Sequence, residues 1–268
     1  FVYPGRTEPA RAALYGYLSY VLLGWAMLCL PIAHRVKGIS PLDNLFTATS
    51  AISTTGLVTI SISDNYSLFG QVVILLLIQL GGIGYMTFGS FIILSRSSAL
   101  PTPRAGIAKV VFSLPESFDI NRFIRSVVAF TLIIEAAGAV LLYWAFYVAG
   151  EPNPVWSAVF HSISAFCTAG FSLYNNSFEP FADNFLLNIT IAALSYLGAI
   201  GFIVIVDYRR MFNGDTKNVT LTSRIIIGAT FWMTVAGTLL LFLGEPSIQS
   251  KPVDERLLAA FFQCMTAM

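Results

Sequence analysis

Two short segments share the order Thr-x-Gly-apolar: Thr54-Thr55-Gly56-Leu57 and Thr168-Ala169-Gly170-Phe171. None of these side chains is an acid, a base or a strong nucleophile. What such a segment offers is its main chain. Glycine admits extended or left-handed backbone, which lets successive carbonyls face one axis. A ring of such carbonyls replaces the hydration shell of a monovalent cation. The hydroxyls of Thr54, Thr55 and Thr168 add oxygens, and their β-branching stiffens the chain. One TTGL alone is weak. Two such segments at matching places carry weight.

Other groups invite chemistry and fail on context. Glu135 is the one charge well inside an apolar stretch, LIIEAAGAVLL, and an intramembrane carboxylate is a functional candidate by default. It admits two roles: a structural one, hydrogen-bonded to a neighbouring short helix or loop backbone, and a direct influence on ion passage. His161 and Cys167 are six residues apart and do not share a helix face, which argues against a nucleophile pair. Gly81, Gly82 and Gly84 lie in mid-span with no strand before them, so close helix packing is expected rather than nucleotide binding. Cys29, Cys167 and Cys264 form neither a metal pattern nor a disulfide framework. No enzyme activity, cofactor or resident metal is expected. A net charge of +1 excludes a nucleic-acid surface.

The elements that must hold these segments are apolar helices. Of the 268 residues, 56% are hydrophobic and 11% charged, against roughly 25% charged in a soluble domain. Five runs reach bilayer length: 12–33, 69–94, 126–149, 185–206 and 225–243. Three more, 42–55, 156–169 and 257–268, are too short to span and read as re-entrant helices. Start signals precede them: Pro41 with Asp43, Pro154, and Pro252 with Asp254. The expected fold is an all-α polytopic membrane protein.

An internal repeat organises the whole. FTATSAISTTGL at 46–57 aligns with FHSISAFCTAGF at 160–171, offset by 114. LGGIGY at 80–85 aligns with LGAIGF at 197–202, offset by 117. AGAVLL from Ala137 matches AGTLLL from Ala236, and FQCMTAM at 262–268 aligns with FHSISAF at 160–166. Ser50, Ser164 and Thr266 share one register, as do Ala51, Ala165 and Ala267. The unit is spanning helix, re-entrant helix, Thr-x-Gly loop, spanning helix. We expect a first unit over 1–94, a linker over 95–121, a second unit over 122–208, and the start of a third over 209–268, cut before its loop. A re-entrant helix points its C-terminal end, with roughly −0.5 charge, into the membrane, stabilising a cation without a buried anion.

Charge gives orientation. With the N-terminus inside, 11 of the 15 basic residues lie on the inner side, Arg104 and Arg210 among them. Acidic residues such as Glu151 and Glu179 then lie outside. The inner loop 95–125 carries five basic residues, which fits either lipid headgroups or a soluble partner.

STTGL at 53–57, GQVVILLLIQLGGIGYM at 70–86 and CTAGF at 167–171 resemble the Trk/Ktr/HKT superfamily of potassium transporters, above all its bacterial membrane subunits. The resemblance covers essentially the whole chain. It implies four such units around one pore, each giving a filter strand with a central glycine, here Gly56 and Gly170. It implies that Thr54, Thr55, Gly56, Leu57, Thr168, Ala169, Gly170 and Phe171 ligate permeating K+, with Na+ selectivity or cation–proton symport as alternatives. Glycine rather than serine at position 56 favours potassium. A non-transporting scaffold is the rival from another class. The resemblance also implies a bacterial inner-membrane location, a homodimer, and a cytoplasmic nucleotide-binding ring as partner.

Overall fold

The computed structural model describes residues 9–84, 87, 120–212, 214, 218–249 and 252–267. Every regular element among them is helical. The chain falls into two compact units that divide within one long helix, near residue 132.

In the first unit, α1 (Pro9–Leu28) is followed by the short α2 (Pro41–Ile52) and by α3 (Leu68–Ile83). Pro41 occupies the first turn of α2, where its missing N–H costs nothing, and the Ser40 hydroxyl accepts from Leu42 N at 3.1 Å. Tyr66 lies in the loop ahead of α3, fully buried. Its hydroxyl donates to Asn44 Oδ1 at 2.8 Å, fixing the start of α2. Burial pushes that phenol up to about 12.

The long helix α4 (Ile120–Val148) leads into the second unit. There follow the short α5 (Pro154–Phe166), then α6 (Phe185–Ala199), α7 (Phe202–Phe212), α8 (Leu221–Gly244) and a second short helix, α9 (Val253–Thr266). Residues 123–148 and 221–244 are long and apolar enough to cross a membrane, each with mean hydropathy 2.0. Leu240, Leu243 and Trp232 on α8 are largely exposed.

The spans differ from expectation at their ends. The run at 185–206 is not one straight helix: α6 stops at Ala199, and α7 leaves at 88° beyond Gly201, whose φ is +86°. The run at 69–94 ends its helix at Ile83, with Gly84 at φ +83°. Both breaks fall on the last glycine of the aligned LGxIG motifs, where the main chain takes a conformation only glycine adopts without strain. Residues 12–33 also stop short, α1 ending at Leu28 before a single 3₁₀ turn at 31–33. Of the inner loop 95–125, residues 95–119, with Arg96, Arg104 and Lys109, lie outside the described residues, while Arg122 and Arg125 stand in the first turns of α4.

The repeat recurs as contacts. Gly24 packs on the Leu77 side chain and Gly138 on that of Leu194, so that a Cβ at either glycine would press on the leucine methyls. Ser162 Oγ donates to the Glu135 carbonyl at 2.7 Å, and Cys264 Sγ donates to the Thr234 carbonyl at 3.6 Å. Positions paired by sequence in the second and third repeats thus make the same inter-helix bond.

Candidate functional site: two capped loops

Each Thr-x-Gly loop begins where a short helix stops, and both stop the same way. At the end of α2, Thr54 N donates to the Ala51 carbonyl at 3.2 Å and Thr55 N to the Ser50 carbonyl at 2.9 Å. At the end of α5, Thr168 N donates to Ala165 at 3.0 Å and Ala169 N to Ser164 at 2.8 Å. This pair of bonds is the Schellman motif. It demands a left-handed residue at the position after the cap, usually glycine. Here threonine fills it: Thr54 has φ +50° and Thr168 φ +51°. Gly56 and Gly170 follow at φ +79° and +71°.

Expectation placed the backbone freedom in the glycines and read the threonines as stiffeners. In fact the threonines carry the left-handed turn as well. For a β-branched residue that region costs roughly 1–2 kcal/mol. The recurrence of threonine at 54 and 168, two residues before each glycine, is the one trace of this in the sequence.

What holds the strained turn is a notch in the next helix. A Cβ on Gly81 would stand 2.2 Å from the Ile52 carbonyl oxygen and 3.1 Å from the Thr54 methyl. A Cβ on Gly198 would stand 1.8 Å from the Phe166 carbonyl oxygen and 3.5 Å from the Thr168 methyl. In both units the last carbonyl of the short helix presses into bare glycine backbone, with the threonine methyl beside it. Close packing was expected of the glycine run, and Gly81 supplies it. Gly84 instead terminates the helix.

The loop carbonyls are left uncommitted. Described residues direct no hydrogen bond at the main-chain oxygens of 54–57 or 168–170. Phe171 is the exception: its carbonyl accepts from Ser164 Oγ at 2.8 Å. The two apolar ends also differ, with Leu57 62% exposed and Phe171 3% exposed. All eight candidate residues therefore sit in their two loops, four in each unit, but the last position of the second loop is tied back to its helix.

Glu135 lies against the second of these helix ends. It is buried, and Cys167 Sγ, at the cap of α5, donates to its Oε1 at 3.8 Å. Of the two roles open to Glu135, this contact is the one a support for the loop would make. His161 has unrelated partners. Its Nε2 accepts from Leu173 N at 3.1 Å and its Nδ1 faces the Ser157 carbonyl at 2.7 Å, which fixes the neutral Nδ1–H tautomer. The ring stacks on Tyr174 at 5.1 Å. His161 and Cys167 form no pair. Among the described residues, no group of histidine, cysteine and carboxylate side chains is placed to hold a metal ion.

Comparison with known proteins agrees with this architecture. The family model TrkH, described as cation transport protein, matches residues 29–268. The chain belongs to the TrkH family. It is 33% identical to the Ktr system potassium uptake protein B of Vibrio alginolyticus, over 97% of this chain and 58% of that protein. It is 30% identical to the potassium/sodium uptake protein NtpJ of Enterococcus hirae, over the same shares of 97% and 58%. The crystal structure of the potassium transporter TrkH from Vibrio parahaemolyticus superposes with a TM-score of 0.59 at 21% identity, covering 99% of this chain and 52% of that one. That likeness establishes the shared fold. The chain thus spans a little over half the length of these relatives. TrkH is a family of transporters, not of enzymes.

Proposed function

We propose that this chain forms the permeation path of a potassium uptake protein, with Thr54–Leu57 and Thr168–Phe171 each supplying one filter strand. The observation that carries this reading is the doubled loop geometry. Two short helices end in the same Schellman turn, and left-handed residues alternate through the loop that follows. Reversing the backbone hand from residue to residue turns consecutive carbonyls to one side, where a strand would point them to opposite sides. Apart from that of Phe171, those carbonyls accept no hydrogen bond from the described residues. The helix end behind them adds partial negative charge. Irregular backbone at membrane depth is stable only when buried in protein or lining a water path. A dehydrating K+ fits such oxygens without a fixed anion.

Similarity to potassium uptake proteins at 33% and 30% identity supports K+ as the substrate. The name of the Enterococcus protein, which includes sodium, gives ground for a second reading in which Na+ also passes. We place the protein in the bacterial inner membrane with its N-terminus in the cytoplasm, on the distribution of basic residues. Family resemblance supports a homodimer and a cytoplasmic nucleotide-binding ring that meets the basic loop 95–125.

The test is rubidium uptake, competed by sodium, by the complete gene product in a bacterial host lacking potassium uptake. Wild type should take up rubidium and be poorly inhibited by sodium. Gly56→Ser forces a Cβ and hydroxyl onto a residue at φ +79°. Sodium should compete about tenfold better in that variant, a loss of about 1.4 kcal/mol in discrimination. A well-expressed variant with a wild-type competition curve removes Thr54–Leu57 from the filter.

A further inference from the structure

We infer that Ser164 is a positioning residue that clamps the second filter strand at both ends, an inference that rests on the filter reading above. Ser164 is 2% exposed and sits three residues before the cap of α5. Its carbonyl accepts Ala169 N at 2.8 Å, at the start of the loop. Its hydroxyl donates to the Phe171 carbonyl at 2.8 Å, at the end of the loop. One residue therefore grips the main chain on both sides of Gly170. The carbonyls left without a partner among the described residues, those of 168–170, are the ones between the two grips. Hydroxyl removal frees the peptide after Phe171 to rotate, and with it the aim of the neighbouring carbonyls.

The first unit provides the contrast. Ser50 holds the same register, and its carbonyl accepts Thr55 N at 2.9 Å. Its hydroxyl is buried and has no hydrogen-bond partner among the described residues. Leu57, which stands where Phe171 does, is 62% exposed. This serine register grips the far end of the second strand and not that of the first, whose loop is tied back instead by Thr59 Oγ1 donating to Asp43 Oδ1 at 2.8 Å. Thr266 in the third segment again carries a hydroxyl at this register, and there it donates to its own helix, at the Phe262 carbonyl, 2.9 Å away. Of the two loops, only the second uses this hydroxyl as a clamp among the described residues, so the two strands make unequal contributions to selectivity.

The experiment measures sodium inhibition of rubidium uptake by the complete gene product, for wild type, Ser164→Ala, Ser164→Thr and Ser50→Ala. The inhibition ratio does not depend on how much protein reaches the membrane, so a lower yield does not move it. Losing one such hydrogen bond should let sodium compete roughly three- to tenfold better in Ser164→Ala. Ser164→Thr keeps the donor and should stay within about twofold of wild type, as should Ser50→Ala, whose hydroxyl has no partner among the described residues. Should the alanine variant carry too little flux, Ser164→Cys offers a weak donor, and sodium competition should shift in the same direction. Wild-type competition in Ser164→Ala or Ser164→Cys overturns the clamp. So does Ser164→Thr behaving like alanine, or Ser50→Ala shifting as far as Ser164→Ala. If wild type takes up no rubidium, the functional reading falls and the clamp with it. Uptake with unchanged selectivity in the variants sinks the clamp alone.

Discussion

Gly198→Ala puts the notch to the test. The added Cβ would stand 1.8 Å from the Phe166 carbonyl oxygen, the last carbonyl of α5. Ordinary close contacts between carbon and a carbonyl oxygen run at about 3.3–3.6 Å. Relief therefore needs α6 and the end of α5 to part by about 1.5 Å. The clashing atom is backbone, so no side chain can swing aside. Overpacking of this kind costs about 1–3 kcal/mol, and this overlap sits at the upper end. Alanine returns up to about 1 kcal/mol through helix propensity, less near a helix terminus. The net should be a loss of roughly 2 kcal/mol. The separation also withdraws the support under Thr168, so transport should suffer beyond the loss of folded protein. Gly228 in α8 is the control, because nothing lies within 4 Å of a Cβ there. Thermal unfolding of the purified complete gene product in detergent reads the outcome. Gly198→Ala should melt several degrees below wild type, Gly81→Ala likewise, and Gly228→Ala at or above it. Gly198→Ala melting with wild type, or matching Gly228→Ala, refutes the idea that helix and loop meet at that glycine.

Glu135→Gln keeps an acceptor oxygen for the Cys167 thiol, so the rubidium-over-sodium preference should hold while folded yield falls; a changed preference at normal yield would put Glu135 in the permeation path. Gly237→Ala meets only the Cys264 sulfur, at 2.6 Å, the end of a side chain that can rotate. It should cost under about 1.5 kcal/mol, clearly less than Gly198→Ala in the same melting assay. For topology, a cysteine replacing Glu179, which is exposed, should react with an impermeant maleimide on intact cells. One replacing Arg104 should react only after permeabilisation, and labelling of position 104 from outside reverses the scheme.

Much of this was legible in the sequence, and the reason is repetition. A single apolar run says little, but FTATSAISTTGL and FHSISAFCTAGF align with the same elements around them, and the contacts repeat with the letters. Gly24 meets Leu77 and Gly138 meets Leu194 because offsets of 114 and 117 carry whole packing arrangements. Helix ends were less legible. Hydropathy stays high through Ile200, Gly201 and Phe202, so composition continues a helix that the backbone stops at φ +86°. The left-handed threonines were illegible by propensity, since Thr is among the poorest residues for that region. The role of Ser164 was hidden for another reason. A hydroxyl in a short helix normally bonds its own turn, as Thr266 does, and only the position of the Phe171 carbonyl diverts it.

Glycine at positions 54 and 168 would make the same turn without strain, so threonine there needs a physical reason. A residue held in a sparsely allowed region persists only when its surroundings over-determine it. Four constraints act on each threonine: two Schellman bonds, a preceding carbonyl seated in glycine backbone, and a methyl resting beside that seat. Glycine would keep the bonds and lose the methyl, and it would bring greater freedom to the residue that begins the carbonyl row. An ion filter discriminates by the position of its oxygens, so freedom in that residue is a direct loss of discrimination. On the proposed filter reading, the strain of about 1–2 kcal/mol at each threonine is offset by rigidity where rigidity would set selectivity. The same logic explains the order of residues along the loop. The stiff residue stands next to the helix, where the notch can brace it, and the glycine stands two residues on, where the backbone turns left-handed again at φ +79° and +71°.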